Sequence, residues 1–163
     1  MKRWWVIYKK ILIGIDGSEH SYKAIMKATE LQKLNNSEII VFHCVEHHAI
    51  PSGIYMSPSY SVPHVYSIAD PDLQRIKDVY EKNAQAIVNR AKDIFLEFGI
   101  EIETRLIYDY DPVSYIHETV KEENIDLVII GAKGTHSALE EILIGTVAEK
   151  VLRHARTDVL IIR

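Results

Sequence analysis

A single cysteine, Cys44, stands in 163 residues, so no intrachain disulfide can close and a zinc ribbon has no ligand set. On that count the chain reads as intracellular, with a cytoplasmic location expected. Glycine (7) and proline (5) are sparse, which excludes collagen-like and low-complexity architectures. No apolar run approaches the ~20 residues that a membrane span requires. The N-terminus, MKRWWVIYKK, places only five apolar residues before Lys9, too few for the core of a signal peptide. Neither sign of charge dominates: 19 basic and 23 acidic side chains leave a net charge of −4. That balance argues against long nucleic acid or an anionic membrane as the partner. A G-x-G-x-x-G run and a Walker A lysine-serine pair are both missing, so neither dinucleotide binding nor P-loop hydrolysis is indicated.

What is present is the composition of a globular protein, 47% apolar and 26% charged. The length is that of one domain able to bury roughly 70% of its chain surface. Short β-branched runs alternate with longer stretches of helical spacing, the pattern of βαβ units. Lys10 to Ile15 (KILIGI) is nearly all apolar, as a strand covered on both faces must be. Asp16-Gly17-Ser18 then supplies a turn and a helix cap, and Tyr22, Ile25, Ala28, Leu31 and Leu34 recur at helical steps. Glu38 to Val45 forms a second strand. Residues 46 to 71 hold four of the five prolines and no clear period, which marks a long loop. Asp72 to Phe98 is the longest predicted helix, with Ile76, Tyr80, Ala84, Ile87, Ala91, Ile94 and Phe98 as its apolar face and Gly99 at its C-cap.

Ile100 to Ile107 alternates apolar with charged residues, which predicts an edge strand with one buried face. Asp111-Pro112 opens a short helix with Val113, Ile116 and Val120 facing inward. Asp126 to Ile130 is a further buried strand, Thr146 to His154 a helix, and Asp158 to Arg163 a closing strand. These elements predict a single doubly wound α/β domain over residues 10–163, preceded by an arm over 1–9. Its five-stranded parallel sheet takes the order 3-2-1-4-5, with helices on both faces. In that order the chain reverses direction between strands one and four. Ligands bind at such switch points, and the two loops there begin at Asp16 and at Gly131.

The second of these loops runs GAKGTHSALEEILIGTVAEK, with glycine at 131, 134 and 145 and Thr146 opening the last helix. Glycines let the backbone approach an anion, a helix N-terminus adds free N–H groups, and Lys133 adds a positive charge. Spaced glycines by themselves fit tight turns and a capped helix without a ligand equally well.

Taken together, GIDGSEHS after the first strand, IIVFHCVE at the second, and IDLVIIGAKG with GTVAEKVLRHARTDVLIIR at the end make the chain from Lys10 to Arg163 resemble the universal stress protein family, in its adenine-nucleotide-binding branch. The family's loop has a glycine, two residues, a glycine, nine residues, then glycine and Ser or Thr. Here the last interval is ten residues, an extra one expected to bulge within Thr135 to Ser137. The resemblance implies that Asp16 lies at the adenosine end of a nucleotide and that the backbone around Cys44 meets the adenine ring. It also implies that Gly131, Gly134, Gly145, Thr146 and Val147 cradle the phosphates, with Mg or Mn carried on them. Tyr110 stands where the family often has glycine, two positions before Pro112. A homodimer paired through the strand at 158–163 is implied as well.

Rival chemistry is weaker. His43, Glu46, His47 and His48 cluster after the second strand, but His43 sits inside an apolar strand, pointing away from Cys44, and reads as a packed histidine. Cys44, inside the second strand, is a weak candidate nucleophile, since buried thiols are usually inert. Ser18 lacks the glycine that a nucleophile elbow needs after it and reads as a helix cap. Asp16 with Asp109 or Asp111 makes only a partial phospho-receiver pocket. Three functions remain: a nucleotide-loaded homodimeric sensor in stress response with an unnamed downstream protein, a slow or partner-stimulated ATP hydrolase, and a structural stress protein whose loop no longer binds. No residue offers itself as general base, which favours the sensor over the hydrolase.

Overall fold

A computed structural model of the chain describes residues 8–45, 71–108, 110–134 and 144–163, with the side chains of 71–74 and 76 left aside. The Trp4-Trp5 arm, residues 46–70, His47 and His48, Asp109 and the Thr135 to Ser137 bulge lie outside the described residues. The elements follow in strict alternation: β1 (Lys10–Gly14), α1 (Glu19–Asn35), β2 (Glu38–Cys44), α2 (Pro71–Glu97), β3 (Glu103–Ile107), α3 (Pro112–Glu123), β4 (Leu127–Gly131), α4 (Thr146–His154) and β5 (Asp158–Ile162). The sheet has five strands in the order β3-β2-β1-β4-β5, and every pairing is parallel. The sequence expectation of a doubly wound sheet is met.

The reason lies in the unbroken apolar runs. Successive strand residues face opposite ways, so an all-apolar strand needs cover on both sides. Ile11, Ile13, Ile39, Val41, Leu127 and Ile129 face a core closed by Ala24, Ile25 and Ala28 of α1 and by Ala91 and Phe95 of α2. Leu12, Ile40, Phe42, Val128 and Ile130 face the other way, against Ile116 of α3 and Ala148 and Val151 of α4.

Two helix faces differ from expectation. In α1 the buried residues are Ser21, Ala24, Ile25, Ala28 and Thr29, whereas Tyr22 is 42% and Leu34 80% exposed. Small residues let the helix lie close on the sheet. The buried hydroxyls are satisfied locally, Ser21 Oγ donating to Ser18 O at 2.9 Å and Thr29 Oγ1 to Met26 O at 2.8 Å, so their burial costs little. In α2 the buried stripe is Ala84, Val88, Ala91 and Phe95, with Ile87 and Ile94 at its margin. Phe98 falls beyond the helix, on the terminating turn. Gly99 takes φ +70°, and Gly99 N and Ile100 N donate to Leu96 O and Phe95 O at 2.8 and 2.9 Å, closing a Schellman motif. Because Ile100 is used there, β3 starts at Glu103 and not at Ile100.

At the amino edge of the sheet, Glu123 at the end of α3 accepts two bonds from the Arg105 guanidinium, at 2.6 and 3.1 Å, and one from Lys10 Nζ at 2.9 Å. Arg105 also bonds Glu103 and Tyr115. Lys10 also pairs with Glu38 of β2 at 3.4 Å, so β1, β2, β3 and the end of α3 are tied by one partly buried ionic cluster. Arg105 first, and then Lys10, hold the Glu123 carboxyl down at about 2.

Candidate functional site

At the opposite, carboxyl edge, β1 and β4 lie side by side and their following loops diverge. Gly17 turns the first loop with φ +81°, a conformation favouring glycine. Ser18 then caps α1, its Oγ accepting from Ser21 N at 3.1 Å. The hydroxyl does a second job: it donates to Lys133 O at 3.2 Å. Asp16 accepts from Ser18 N at 3.0 Å, which fixes the carboxylate over the same turn. The loop after β1 is thus stitched to the loop after β4.

The glycines of the second loop each have a distinct physical reason. A Cβ at Gly131 would stand 2.8 Å from His20 Cβ and 2.9 Å from His20 C, so this glycine is required by the packing of α1 against the end of β4. At Gly134 a Cβ would come within 2.8 Å of Asp16 Oδ2, which brings the two loops into direct contact. Gly145 donates its N–H to Ala132 O at 2.6 Å, and a Cβ there would meet that same oxygen at 3.2 Å. Across the segment 135–143, the two ends of the loop therefore close on each other.

Helix caps separate α4 from its neighbours. Ser18 caps α1, and Asp111 caps α3 by accepting from Val113 N and Ser114 N at 3.0 and 3.1 Å. The bonds from Ser114 lead in holding the Asp111 carboxyl below its usual range. At α4 the N-cap is Gly145, with no side-chain bond to the first turn. Thr146 and Val147 are exposed there. Orphan N–H groups of a first turn are suited to an anion.

Cys44 ends β2 one strand away, half-buried and packed against the α3 and α4 core. His43 points to the opposite side, as strand alternation requires, and its Nδ1 lies 2.7 Å from Ile15 O, where a protonated Nδ1 donates to the carbonyl. It is a packed histidine, as expected from the sequence. Among the described residues no group of three His, Cys, Asp or Glu side chains stands ready to hold a metal ion. Asp16, Lys133, Gly134, Gly145, Thr146 and Val147 are thus gathered at the switch point, Gly131 serves the packing of α1, and Cys44 sits at the same sheet edge. Sequence reasoning missed Ala132 and the second role of Ser18, because both contacts use backbone carbonyls that no residue pattern marks.

A cavity of about 660 Å³ lies on the other side of Asp16, Gly17 and Ser18, between α1 and α2. Its remaining walls, such as Ile25, Ile87 and Ile94, are largely apolar, and no residue of the glycine loop lines it. Arg90 and Glu19 bring opposite charges to it, and the start of α1 that borders it is already capped by Ser18. The chemistry therefore places the candidate site at the crevice between the loops.

Fold and crevice define an α/β protein of the doubly wound class with an anion-suited switch point. The chain belongs to the universal stress protein family, whose model matches residues 7–163. It is similar to the universal stress protein YxiE of Bacillus subtilis, 29% identical over 96% of this chain and 100% of that one. Among solved structures it resembles the universal stress protein UspA from Lactobacillus plantarum, with a TM-score of 0.73 and 22% identity over 96% and 98% of the two chains. A universal stress protein solved in complex with cAMP has a TM-score of 0.60 and 25% identity, over 96% of each chain. No helix among the described residues is long and apolar enough to cross a membrane.

Proposed function

We propose that this universal stress protein binds an adenine nucleotide at the switch point and acts as a homodimeric, nucleotide-dependent regulator in the stress response. The observation that carries the reading is the first turn of α4. It is left without a side-chain cap, beside a glycine that touches Asp16, where the two neighbouring helix starts are capped by Ser18 and Asp111. Phosphates fit there on Gly134, Gly145, Thr146 and Val147, with Lys133 adding charge. The adenosine end would extend past Asp16 toward the backbone at Cys44. A relative solved with cAMP lends the adenine class support. ATP is the proposed form, its Mg or Mn carried on the phosphates.

The dimer is proposed to pair through β5. Both β3 and β5 are edges, but β3 carries Glu103 and Arg105, whereas β5 runs Asp-Val-Leu-Ile-Ile. An apolar edge strand invites pairing. A cytoplasmic setting and a downstream protein partner complete the reading. The test is to denature freshly purified protein, identify any released small molecule by mass spectrometry, and titrate the stripped protein with ATP and magnesium. Released adenine nucleotide or micromolar binding supports the reading. An empty protein indifferent to ATP overturns it in favour of a structural role. Steady release of phosphate from the loaded protein would instead establish the hydrolase.

A further inference from the structure

α1 and α2 cover the same face of the sheet, and the cavity of about 660 Å³ between them is lined in part by small side chains, Ser21 on α1 and Ala86 and Ala91 on α2. Its floor is apolar. Ile25 and Ala91 are buried, and Ile87 and Ile94 pack against the same core. Small-molecule sites have this character, with volumes of about 300–1,000 Å³, apolar walls and a few polar groups that fix orientation.

Three charged residues line the cavity, Asp16, Glu19 and Arg90, and both acids are already engaged. Asp16 turns its carboxylate toward the glycine loop, where it accepts from Ser18 N at 3.0 Å and where a Cβ on Gly134 would come within 2.8 Å of Oδ2. Glu19 pairs with Lys23 at 2.7 Å. Arg90 differs: its guanidinium lies over the Tyr22 ring, 5.7 Å from the centroid, and among the described residues no carboxylate pairs with it. It also stands apart from the Asp16 turn. A Cβ on Gly17 would meet Ile87 at 3.2 Å, which sets Ile87 beside that turn, and Arg90 follows three residues later, about 4.5 Å further along α2.

We infer that this cavity binds an apolar monocarboxylate, its hydrocarbon part on Ile25, Ile87 and Ile94 and its carboxylate at the Arg90 guanidinium. Burial of the hydrocarbon drives binding, and the planar guanidinium selects the head group by paired hydrogen bonds. Because Arg90 is exposed, the head stays in water and the pair carries little desolvation cost. The inference does not rest on nucleotide binding, since no residue of the glycine loop lines the cavity.

The experiment titrates decanoate into the nucleotide-stripped protein by calorimetry, below its micelle concentration, with decanol as the uncharged probe of equal length. The expected result is one decanoate per chain, bound about tenfold more tightly than decanol. Arg90→Gln is expected to remove that preference, and Ala86→Trp to fill the cavity and abolish binding of both probes. Lys92→Gln, on the same helix but outside the lining, is expected to change neither. All three positions are exposed, so a native circular dichroism spectrum is expected throughout. Absence of binding, equal affinity for the two probes, binding that survives Ala86→Trp, or displacement of decanoate by ATP each overturn the inference. Gly145→Val is expected to bind decanoate as the parent does, so this site and the nucleotide crevice fail or stand separately.

Discussion

Gly134 stands so close to Asp16 that a single added methyl would reach within 2.8 Å of the carboxylate Oδ2. The two residues belong to different loops, 118 positions apart in sequence, and their contact is where the two halves of the doubly wound sheet meet at the crevice. Gly134→Ala is therefore expected to push Asp16 off its turn and to lower adenine-nucleotide affinity by about tenfold, or about 1.4 kcal/mol. Calorimetric titration checks this, and an unchanged dissociation constant would remove Asp16 from the site.

Gly145→Val is expected to abolish nucleotide binding. A branched side chain fills space beside the first turn of α4 and also presses on Ala132 O, which a Cβ would meet at 3.2 Å. Thr146→Ala, by contrast, removes one hydroxyl and should weaken binding by only about 1 kcal/mol. Equal losses in the two variants would mean that the loop acts through its shape alone.

Ser18→Ala and Asp111→Ala each delete a helix cap and are each expected to cost about 1 kcal/mol of stability in denaturant melts. Only Ser18 also holds Lys133 O. Nucleotide affinity should therefore fall in the Ser18 variant and stay level in the Asp111 variant. A loss in both would show that the site answers to stability and not to the link between the loops.

Glu123 gives a pH signature. Its carboxyl is lowered from 4.5 to about 2 in the folded chain, so its contribution is complete above about 4.5, where the unfolded chain is also ionised, and is lost as pH falls from there toward 2. Glu123→Gln should lower stability near neutrality by about 2 kcal/mol, because Arg105 and Lys10 lose their shared partner. It should also flatten the acid limb. Unfolding curves collected across that range decide the matter, and an acid limb as steep in the variant as in the parent would assign the pH dependence elsewhere.

The ladder at β5 predicts which backbone donor a dimer would need. Ile162 O accepts from Ala132 N, so by alternation Leu160 and Ile162 bond toward β4 while Val159 and Ile161 direct their N–H groups outward. Proline at an outward position removes an external donor without cutting the internal ladder. Ile161→Pro is expected to yield a folded monomer, read by sedimentation. A persistent dimer would exclude pairing through this strand.

Strand order and the position of the crevice were legible in the sequence because both follow from apolar runs such as Ile11 to Ile13 and from the charged alternation of β3. Helix facing was less legible. In α1 the apolar strip through Tyr22 and Leu34 has the same period as the buried one, and Ser21 and Thr29 look polar until their hydroxyls find carbonyls within one turn. The glycine loop was visible as a spacing, but the spacing could not tell that Gly131 serves α1 through His20 while Gly134 faces Asp16. Such distinctions depend on which chain segment arrives from the far side, and no local pattern records that.

The ionic cluster of Lys10, Arg105 and Glu123 gathers at the Glu123 carboxylate, between the end of α3 and the start of β1, whereas the loops proposed to face a nucleotide follow the carboxyl ends of β1 and β4. No residue of the cluster belongs to either of those loops. Substitutions that retune which small molecule the loops accept can therefore accumulate without loosening the clasp, and the clasp can be strengthened without altering what is bound. Only where one side chain serves both ends of this division, as Ser18 does in capping α1 and holding Lys133 O, are robustness and ligand preference bound to change together.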